Sequence, residues 1–369
     1  MAINSSPELI NSDETLPPAE WEEAADIIAY DSVTSPPPVC VVCGPRNSGK
    51  TAFSRHLVNV LIHRYRSVAF MDTDVGQAEF TPPGCLSLTV IDEETRDLAI
   101  PCLRTPERCF FFGDTTPKSD RKLYMAYVRA LYDYYHEKYQ QNVEPIGVPL
   151  VVNTPGWVEG AGFDILVEML NHIAPTQVVQ IRVSAESKNL PHGAFWLEEG
   201  IVHEVTVLEI KSDRYDSKKK TVQGQNEARL LRDLRLLAYF RKCFPTDKSL
   251  TTLEELDHEL AVHPPYEISM SRVTIKQLHP EVPGTETKNK TSKIVGLAIS
   301  SSSSEDLPCC IGLGILKGEH TSKDVLYLTT PIPEDIVKKV DLLLHGLIKI
   351  PDCLRQVQGC VASNTLLTN

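Results

Sequence analysis

The most constraining feature of the chain is an apolar run that leads directly into a phosphate-loop motif. Residues 39–43 are apolar, and the eight residues from Gly44 to Thr51 match G-x-x-x-x-G-K-[ST] without a mismatch. This motif needs a strand before it and a helix after it, because loop and helix N–H groups bind nucleotide phosphates. The predicted ATP-binding residues of the loop are Gly44, Pro45, Arg46, Asn47, Ser48, Gly49, Lys50 and Thr51.

Strand and helix patterns alternate after the motif. Buried strands are predicted at 67–71, 149–153 and 178–183, and helices at 53–65, 123–139 and 163–174. This alternation predicts an α/β fold, a phosphate-loop NTPase with a mostly parallel sheet covered by helices on both faces. Apolar residues of the 123–139 helix repeat every four residues, at Leu123, Tyr127, Leu131, Tyr135 and Tyr139. Tyrosines at this spacing favour packing over a base-stacking platform.

The local composition of the chain predicts three parts. Residues 1–38 are interpreted as an acidic flexible tail, with Trp21–Tyr30 as an optional short helix, and the folded part is expected to start near Val39. Residues 39–243 form the predicted phosphate-loop kinase domain, and residues 244–369 a smaller β-rich C-terminal domain. Short strands of the latter are predicted at 269–275, 294–299, 311–316, 325–328 and 346–350, around the low-complexity run 300–304.

Charge and cysteine usage exclude several classes of protein. The net charge of −12 argues against a protein coated in basic surface for nucleic acid, although residues 1–35 hold acids and no Lys or Arg. Basic residues outnumber acidic ones between Lys211 and Lys242, so this segment could receive an anion. The cysteines lack secretory spacing, and Cys40 and Cys43 are expected in the core. No apolar run approaches the roughly 18 residues of a membrane span.

Two acidic residues follow the second predicted strand. Asp72 and Asp74 stand just beyond the strand, beside the phosphate loop in the expected sheet order. One carboxylate can hold Mg²⁺ or its waters, and the other can accept a proton from an attacking hydroxyl. We expect a functional role here in preference to a solvated loop.

Two further segments fit a phosphate or base site. Thr115 and Thr116 in the turn 112–117 could bind phosphate oxygens, although a plain turn explains them almost equally well. At the end of the 149–153 strand, Asn153 stands where a GTPase carries Asp, and no guanine-reading motif follows. Trp157, four residues later, could stack on a base or pack between domains, and the two readings are about even.

The last segment is a predicted lid near residues 225–242. Arg229, Arg232 and Arg235 repeat every three residues on one predicted helix face. The leucines of the segment are expected on the other face: Leu230, Leu231, Leu234 and Leu237. The arginines could close over a transferring phosphate, or form a solvated basic face.

Taken together, these segments resemble the polynucleotide 5′-hydroxyl kinase family over roughly residues 39–369. The resemblance rests on the phosphate loop, on D-x-D-x-G-Q at 72–77, on a clasp at Thr115–Pro117, on T-x-G-W at 154–157 and on the lid. The segments 312–315 and 356–360 look closer to the nucleolar branch, which processes pre-ribosomal RNA. Family members usually carry a sizeable N-terminal domain, whereas only residues 1–38 precede this core, so we expect a minimal or truncated form.

The resemblance implies an ATP- and Mg²⁺-dependent kinase that phosphorylates RNA 5′-hydroxyl ends, with DNA as a second candidate substrate. It also implies partner proteins of an RNA-processing complex and a nuclear, nucleolar location. The implied catalytic residues are Lys50, Asp74 as general base, Arg229 and Arg232. Those implied for ATP beyond the loop are Thr115 and Thr116; for RNA, Trp157, Gln77 and Arg235; and for the metal, Thr51, Asp72 and Asp74.

Two other functions stay open on the residues alone. One is a phosphate-loop ATPase that switches between states, in which Asp74 positions water. The other is a catalytically idle scaffold that keeps ATP to hold its fold. Trp157 and the lid arginines favour the kinase, and the intact Lys50, Thr51 and Asp74 disfavour the idle scaffold.

Overall fold

The computed structural model describes residues 17–30, 37–95, 103–140, 147–198, 205–213, 221–280, 293–300 and 307–359. The helices are α1 Ala19–Tyr30, α2 Lys50–Ile62, α3 Arg121–Tyr135, α4 Gly160–Ile173, α5 Thr221–Arg241, α6 Leu253–Val262, α7 Glu334–Val337 and α8 Arg355–Gly359. The strands are β1 Val39–Cys43, β2 Val68–Asp72, β3 Cys85–Ile91, β4 Arg108–Phe111, β5 Leu150–Asn153, β6 Gln177–Arg182, β7 Thr206–Lys211, β8 Tyr266–Ser269, β9 Thr274–Gln277, β10 Lys293–Ile299, β11 Cys309–His320, β12 Val325–Thr329 and β13 Leu342–His345.

The first sheet has seven strands in the order β4-β3-β2-β5-β1-β6-β7. The neighbours β2–β5, β5–β1, β1–β6 and β6–β7 are parallel, and the pairs β2–β3 and β3–β4 are antiparallel. The predicted mostly parallel sheet is therefore confirmed. Strands β3 and β4 were not among the predicted elements. They extend the sheet beyond β2 and bring the clasp segment, which follows β4, toward the phosphate loop.

Helices cover both faces of this sheet, as predicted. Val41 and Cys43 of β1 face a core that includes α3 and α4, while Cys40 and Val42 face a core that includes α1 and α2. Burial raises the pKa of the Cys43 thiol to about 12, as expected of a core cysteine. The fully buried tyrosines of α3 are Tyr124, Tyr127 and Tyr135. In the described part of the chain, no helix is both long and apolar enough to cross a membrane.

Helix α1 corrects the expected start of the folded part at Val39. It begins at Ala19, and its Trp21 and Ile28 are buried in the same core cluster as Leu57 of α2. The Trp21 ring meets Phe53 edge-on at a centroid distance of 5.6 Å, and its Nε1 donates to the Lys211 carbonyl oxygen. The optional helix of the acidic segment is thus part of the core. Residues 1–16 and 31–36 of the predicted tail lie outside the described residues.

The second sheet has six strands in the order β8-β12-β11-β10-β13-β9. The predicted strands near 294–299, 311–316 and 325–328 correspond to β10, β11 and β12. The single strand predicted at 269–275 is wrong, because a 3-10 turn at Met270–Arg272 separates β8 and β9, which lie at opposite edges. Most of the low-complexity run at 300–304 lies outside the described residues.

The strand predicted at 346–350 is also wrong. The strand of this region is β13, which ends at His345, and the next residues leave the sheet to contact the first one. Leu347 N donates to the Gly113 carbonyl oxygen at 2.5 Å, and His279 Nε2 lies 2.7 Å from the Phe112 carbonyl oxygen. Because Gly113 lies two residues before the clasp segment, the second sheet supports the backbone from which the clasp continues.

Candidate active site

The phosphate loop joins β1 to α2 at the carboxyl edge of the first sheet. Helix α2 begins at Lys50, whose Nζ donates to the Pro45 carbonyl oxygen at 2.7 Å. Gly49 has a φ of 97°, and a Cβ there would lie 3.0 Å from Cη2 of Trp21. Both observations explain why a residue without a side chain occupies this position. The eight predicted residues from Gly44 to Thr51 thus form one continuous loop and helix start.

Asp72 and Asn153 lie beside this loop because β2 and β5 are parallel neighbours. Asn153 Nδ2 donates to Asp72 Oδ1 at 3.1 Å and lies 3.4 Å from the Thr51 hydroxyl. The side chains of Thr51 and Asp72 therefore both lie next to the Asn153 side-chain amide. Residues that bind one cation are placed close together in this way. Burial raises the pKa of Asp72 to about 7, with a further increase from Asp74 and opposing hydrogen bonds from Glu79, Asp74 and Asn153.

The donor set at this edge fits a magnesium ion. A hydroxyl and a carboxylate are hard oxygen ligands, and Mg²⁺ in nucleotide sites takes few protein ligands beside waters and phosphates. The carbonyl oxygen of Asn153's side chain is buried without a hydrogen-bond partner among the described residues. Within that part of the chain, no three His, Cys, Asp or Glu side chains gather as a metal cage. The hydroxyl and the carboxylate therefore fit a cation that is shared with the phosphates of a nucleotide.

Asp74 has one oxygen held by the backbone. Its Oδ1 accepts hydrogen bonds from Gly76 N and Gln77 N, both at 3.0 Å. Nothing in the described part of the chain donates a hydrogen bond to Oδ2 of this half-buried side chain. A carboxylate fixed in this way through one oxygen presents the other to a hydroxyl, which is the geometry that a general base needs.

One of the two clasp threonines contacts the segment that carries Asp74. The Thr115 carbonyl oxygen lies 2.9 Å from the position that a Cβ on Gly76 would take, so these two backbone segments are in contact. Thr116 caps the short 3-10 turn at Pro117–Ser119, with its hydroxyl 3.5 Å from Lys118 N. The structure thus brings Thr115 next to the Asp74 segment and gives the Thr116 hydroxyl a local turn contact.

Trp157 follows β5 and packs against α3. Its ring meets Tyr124 at a centroid distance of 5.4 Å, and the Tyr124 hydroxyl donates to the Thr73 carbonyl oxygen at 2.8 Å. Thr73 stands between the two carboxylates, so the half-buried tryptophan is connected to them through one tyrosine. Tyr124 was not among the residues predicted for the site, and its hydroxyl is the feature that the helical spacing did not reveal.

The loop before Trp157 also touches the phosphate loop. A Cβ at Gly156 would lie 2.5 Å from the Cα of Arg46, so only glycine allows this approach of the two backbones. Thr154 Oγ1 donates to the Val42 carbonyl oxygen at 2.8 Å and fixes the start of the same loop. The T-x-G-W and phosphate-loop segments are therefore a single packed unit.

The lid arginines lie in three different surroundings on α5. Arg229 is exposed and pairs with Asp352, whereas Arg235 is almost buried and its Nη2 lies 3.3 Å from Glu79 Oε2. Burial lowers the pKa of Arg232, the Arg46 charge lowers it further, and the Asp233 and Asp74 charges act in the opposite direction. The charges of the phosphate loop and of Asp74 thus both act on Arg232.

Two of the predicted lid residues are not where the spacing placed them. Leu230 and Leu231 are exposed, and the buried positions among residues 227–241 of the helix are Ala228, Leu236, Leu237 and Phe240. The expected leucine face is therefore wrong for Leu230 and Leu231. The basic residues Arg214, Lys218, Lys219 and Lys220 lie outside the described residues.

Glu79 is a site-lining residue that sequence reasoning missed. Its carboxylate lies between Arg55 Nη1 at 2.9 Å and Arg235, and its backbone N–H donates to Asp72 Oδ2 at 2.6 Å. The available signal was an acid flanked by Ala78 and Phe80, since an acid within an apolar run is buried only when it is paired.

Comparisons with known proteins agree with this architecture. A family model described as mRNA cleavage and polyadenylation factor CLP1 P-loop matches residues 44–242, and one described as NOL9-like, C-terminal domain matches residues 261–351. A solved Clp1p–Pcf11p complex is similar in fold, with a TM-score of 0.61 at 14% identity over 89% of this chain and 78% of that chain.

Curated relatives carry the name polynucleotide 5′-hydroxyl-kinase NOL9. The relative from Arabidopsis thaliana is 48% identical over 345 residues, which are 92% of this chain and 93% of the relative. The relative from Danio rerio is 30% identical over 86% of this chain and 47% of its own length, and the one from Homo sapiens is 27% identical over 87% and 50%. The chain thus spans about half the length of these two animal relatives and nearly all of the plant one. With one family model covering over half of it and a relative this similar, the chain belongs to the polynucleotide 5′-hydroxyl-kinase family, among its NOL9 members.

Proposed function

We propose that this protein is an ATP- and Mg²⁺-dependent kinase that phosphorylates the 5′-hydroxyl end of RNA in ribosomal RNA processing, in the nucleolus. The class of reaction follows the name that its relatives carry, and the site residues named below are our assignment. DNA with a 5′-hydroxyl end is a second candidate acceptor, and proteins of an RNA-processing complex are the proposed partners.

Different residues of the site would bind the phosphates of ATP and the Mg²⁺ ion. The loop from Gly44 to Thr51, with Lys50, would hold the phosphates, and Thr115 and Thr116 would contribute from the clasp. Thr51 and Asp72 would hold Mg²⁺ or its waters, with Asp74 as a further ligand. ATP supplies the phosphoryl group, and the cation neutralises the charge on the phosphates.

The chemistry asked of the protein is then proton transfer and charge stabilisation. Asp74 would take the proton of the RNA 5′-hydroxyl through its open oxygen as the hydroxyl oxygen bonds to the γ-phosphorus and the bond from that phosphorus to the leaving ADP oxygen breaks. Arg232, together with Lys50, would stabilise the negative charge of the phosphoryl group during transfer. Arg229, which is exposed and paired with Asp352, would have a smaller part in this step.

The observation that carries the proposal is the connection between Asp74 and Trp157. Tyr124 packs edge-on against Trp157 and donates to Thr73, so an aromatic ring suited to a nucleobase is fixed relative to the carboxylate. A switch ATPase needs a positioned water and has no use for such a ring. Gln77 and Arg235 remain proposed RNA contacts, although Arg235 is engaged with Glu79 in this structure.

One experiment tests the proposal against both alternatives. The purified protein is incubated with γ-labelled ATP and either a 5′-hydroxyl oligoribonucleotide, the matching deoxyoligonucleotide or the same RNA with a 5′-phosphate. A kinase labels only the 5′-hydroxyl ends. Release of labelled phosphate without labelled oligonucleotide would indicate an ATPase switch, and ATP binding without either product an idle scaffold.

Two variants make the result specific to this site. Lys50→Ala and Asp74→Asn should abolish labelling while circular dichroism stays unchanged, because neither side chain supports the hydrophobic core. If Asp74→Asn labelled RNA at a near-normal rate, the general-base assignment would be wrong even though the kinase activity stood.

A further inference from the structure

Glu79 lies where three parts of the site meet. Its side chain is 9% exposed, and its two carboxylate oxygens accept from Arg55 at 2.9 Å and from Arg235 at 3.3 Å. Arg55 belongs to α2, the helix that begins at Lys50, and Arg235 belongs to the lid helix α5. One buried carboxylate therefore joins the phosphate-loop helix to the lid.

The backbone of Glu79 adds a third connection. Its N–H donates to Asp72 Oδ2 at 2.6 Å, so a shift of Glu79 would also move a carboxylate proposed to serve the magnesium site. A buried charge of this kind is tolerated only when its partners compensate its lost hydration. Here the guanidinium groups of Arg55 and Arg235 do so.

The burial of the lid helix changes along its described residues. The side chain of Arg229 is 58% exposed and that of Arg235 is 12% exposed, and the buried residues Leu236, Leu237 and Phe240 follow it. The Glu79–Arg235 ion pair is therefore next to the point where this buried run begins. Arg232 is one helical turn before this pair, so its direction depends on how the pair is held.

We propose that Glu79 is a positioning residue, which holds the lid helix through Arg235 and so fixes the preceding turn, with Arg232, relative to the phosphate-loop helix. This inference rests on the proposed function for its catalytic consequence, but not for its structural one. The Glu79 side chain acts on the reaction through Arg232, and it needs no contact with either substrate.

The structural consequence is tested without any substrate. Hydrogen–deuterium exchange of backbone amides in residues 227–235 should be faster in Glu79→Gln than in the wild-type protein. The control is Glu107→Gln, which removes another ion-paired and half-buried carboxylate, that of the Lys138 pair. Unchanged exchange in the lid of Glu79→Gln, or equal acceleration in the control, would overturn the proposal.

The catalytic consequence is tested by a double-mutant cycle with the labelling assay. Glu79→Gln should lower kcat by about 10²-fold, with little change in the KM for RNA, since a displaced catalytic group acts on the transition state. In an Arg232→Ala background the same substitution should have almost no further effect on kcat. Full additivity of the two effects would show that Glu79 does not act through Arg232.

Failure of the two proposals can be distinguished. If the wild-type protein labels no oligonucleotide, the proposed function fails, and the exchange experiment still decides the role of Glu79. If the wild type is active and Glu79→Gln has normal kcat, the role of Glu79 fails alone. Should Glu79→Gln not fold, Arg235→Gln removes the lid side of the pair while keeping the Arg55 and Asp72 contacts, and the same outcomes apply to it.

Discussion

Neighbouring isoleucines in α1 test whether this helix belongs to the core. Ile28 is fully buried against α2, whereas Ile27 is 40% exposed. Alanine at either position gains the same helix propensity, roughly 0.4 kcal/mol, so the difference between the two variants isolates the burial. The comparison thus distinguishes a helix that packs on the core from an acidic tail that is only transiently helical.

The size of the difference follows from the environment of Ile28. Replacement of a fully buried isoleucine by alanine costs about 2–5 kcal/mol, and the value depends on how far the neighbours collapse into the space. Helix α1 lies on the outside of the core, where it can shift toward α2, so we expect the lower half, about 2–3 kcal/mol. Ile27→Ala should change the free energy of unfolding by less than ~0.5 kcal/mol.

Urea unfolding of both variants, followed by circular dichroism, gives these values as shifts of the transition midpoint. Trp21→Phe is an informative third variant, because it keeps an aromatic ring next to Phe53 but loses the hydrogen bond to the Lys211 carbonyl oxygen. Its cost should be smaller, about 1 kcal/mol. Equal midpoints for Ile27→Ala and Ile28→Ala would refute the packing of α1 against the phosphate-loop helix.

Three other predictions concern the site and one ion pair. Trp157→Ala should weaken RNA binding by about 1–3 kcal/mol with nearly unchanged ATP affinity, and an equal loss of both affinities would indicate a structural ring. Arg232→Ala should lower kcat and kcat/KM together, whereas Arg229→Ala should have a small effect in the same assay; equal effects would contradict their different surroundings. Burial raises the pKa of Glu107, but hydrogen bonds from Lys138 and two tyrosines lower it below its usual value. The pair therefore stabilises the fold above the unfolded-state pKa and loses this effect as the pH falls through the folded-state pKa, a dependence that thermal unfolding of Glu107→Gln should lack.

The first sheet and its site were largely predictable from local patterns. Three segments of the site each follow a strand: the phosphate loop, Asp72–Asp74 and Thr154–Trp157. The carboxyl ends of parallel strands meet at one edge of a sheet. Once parallel order was predicted for these strands, their loops had to come together. Tyr124 was predictable as a buried residue but not as a hydrogen-bond donor, because its acceptor belongs to a different loop.

Elements that arrive from far along the chain were less predictable. The buried residues of helix α1 follow helical spacing, but three of the five are alanines, and the acidic composition of the segment is typical of a tail. Its burial depends on Trp21 contacting Gly49 and Lys211, residues that no local pattern connects to it. The same holds for residues 346–350, which leave the second sheet. Leu347 of this segment donates a hydrogen bond to Gly113, which follows β4 of the first sheet.

The lid shows why a spacing alone misassigns function. Three residues along an α-helix rotate by about 300°, so arginines at every third position turn steadily, by roughly 60° from one to the next. Over the two intervals from Arg229 to Arg235 the direction changes by roughly 120°, too much for a single binding face. The structure accordingly gives Asp352 to the first arginine, the Arg46 and Asp74 environment to the second and Glu79 to the third. The sequence spacing alone therefore supports a basic helix, and the assignment of Arg232 to the reaction depends on what each turn of that helix contacts.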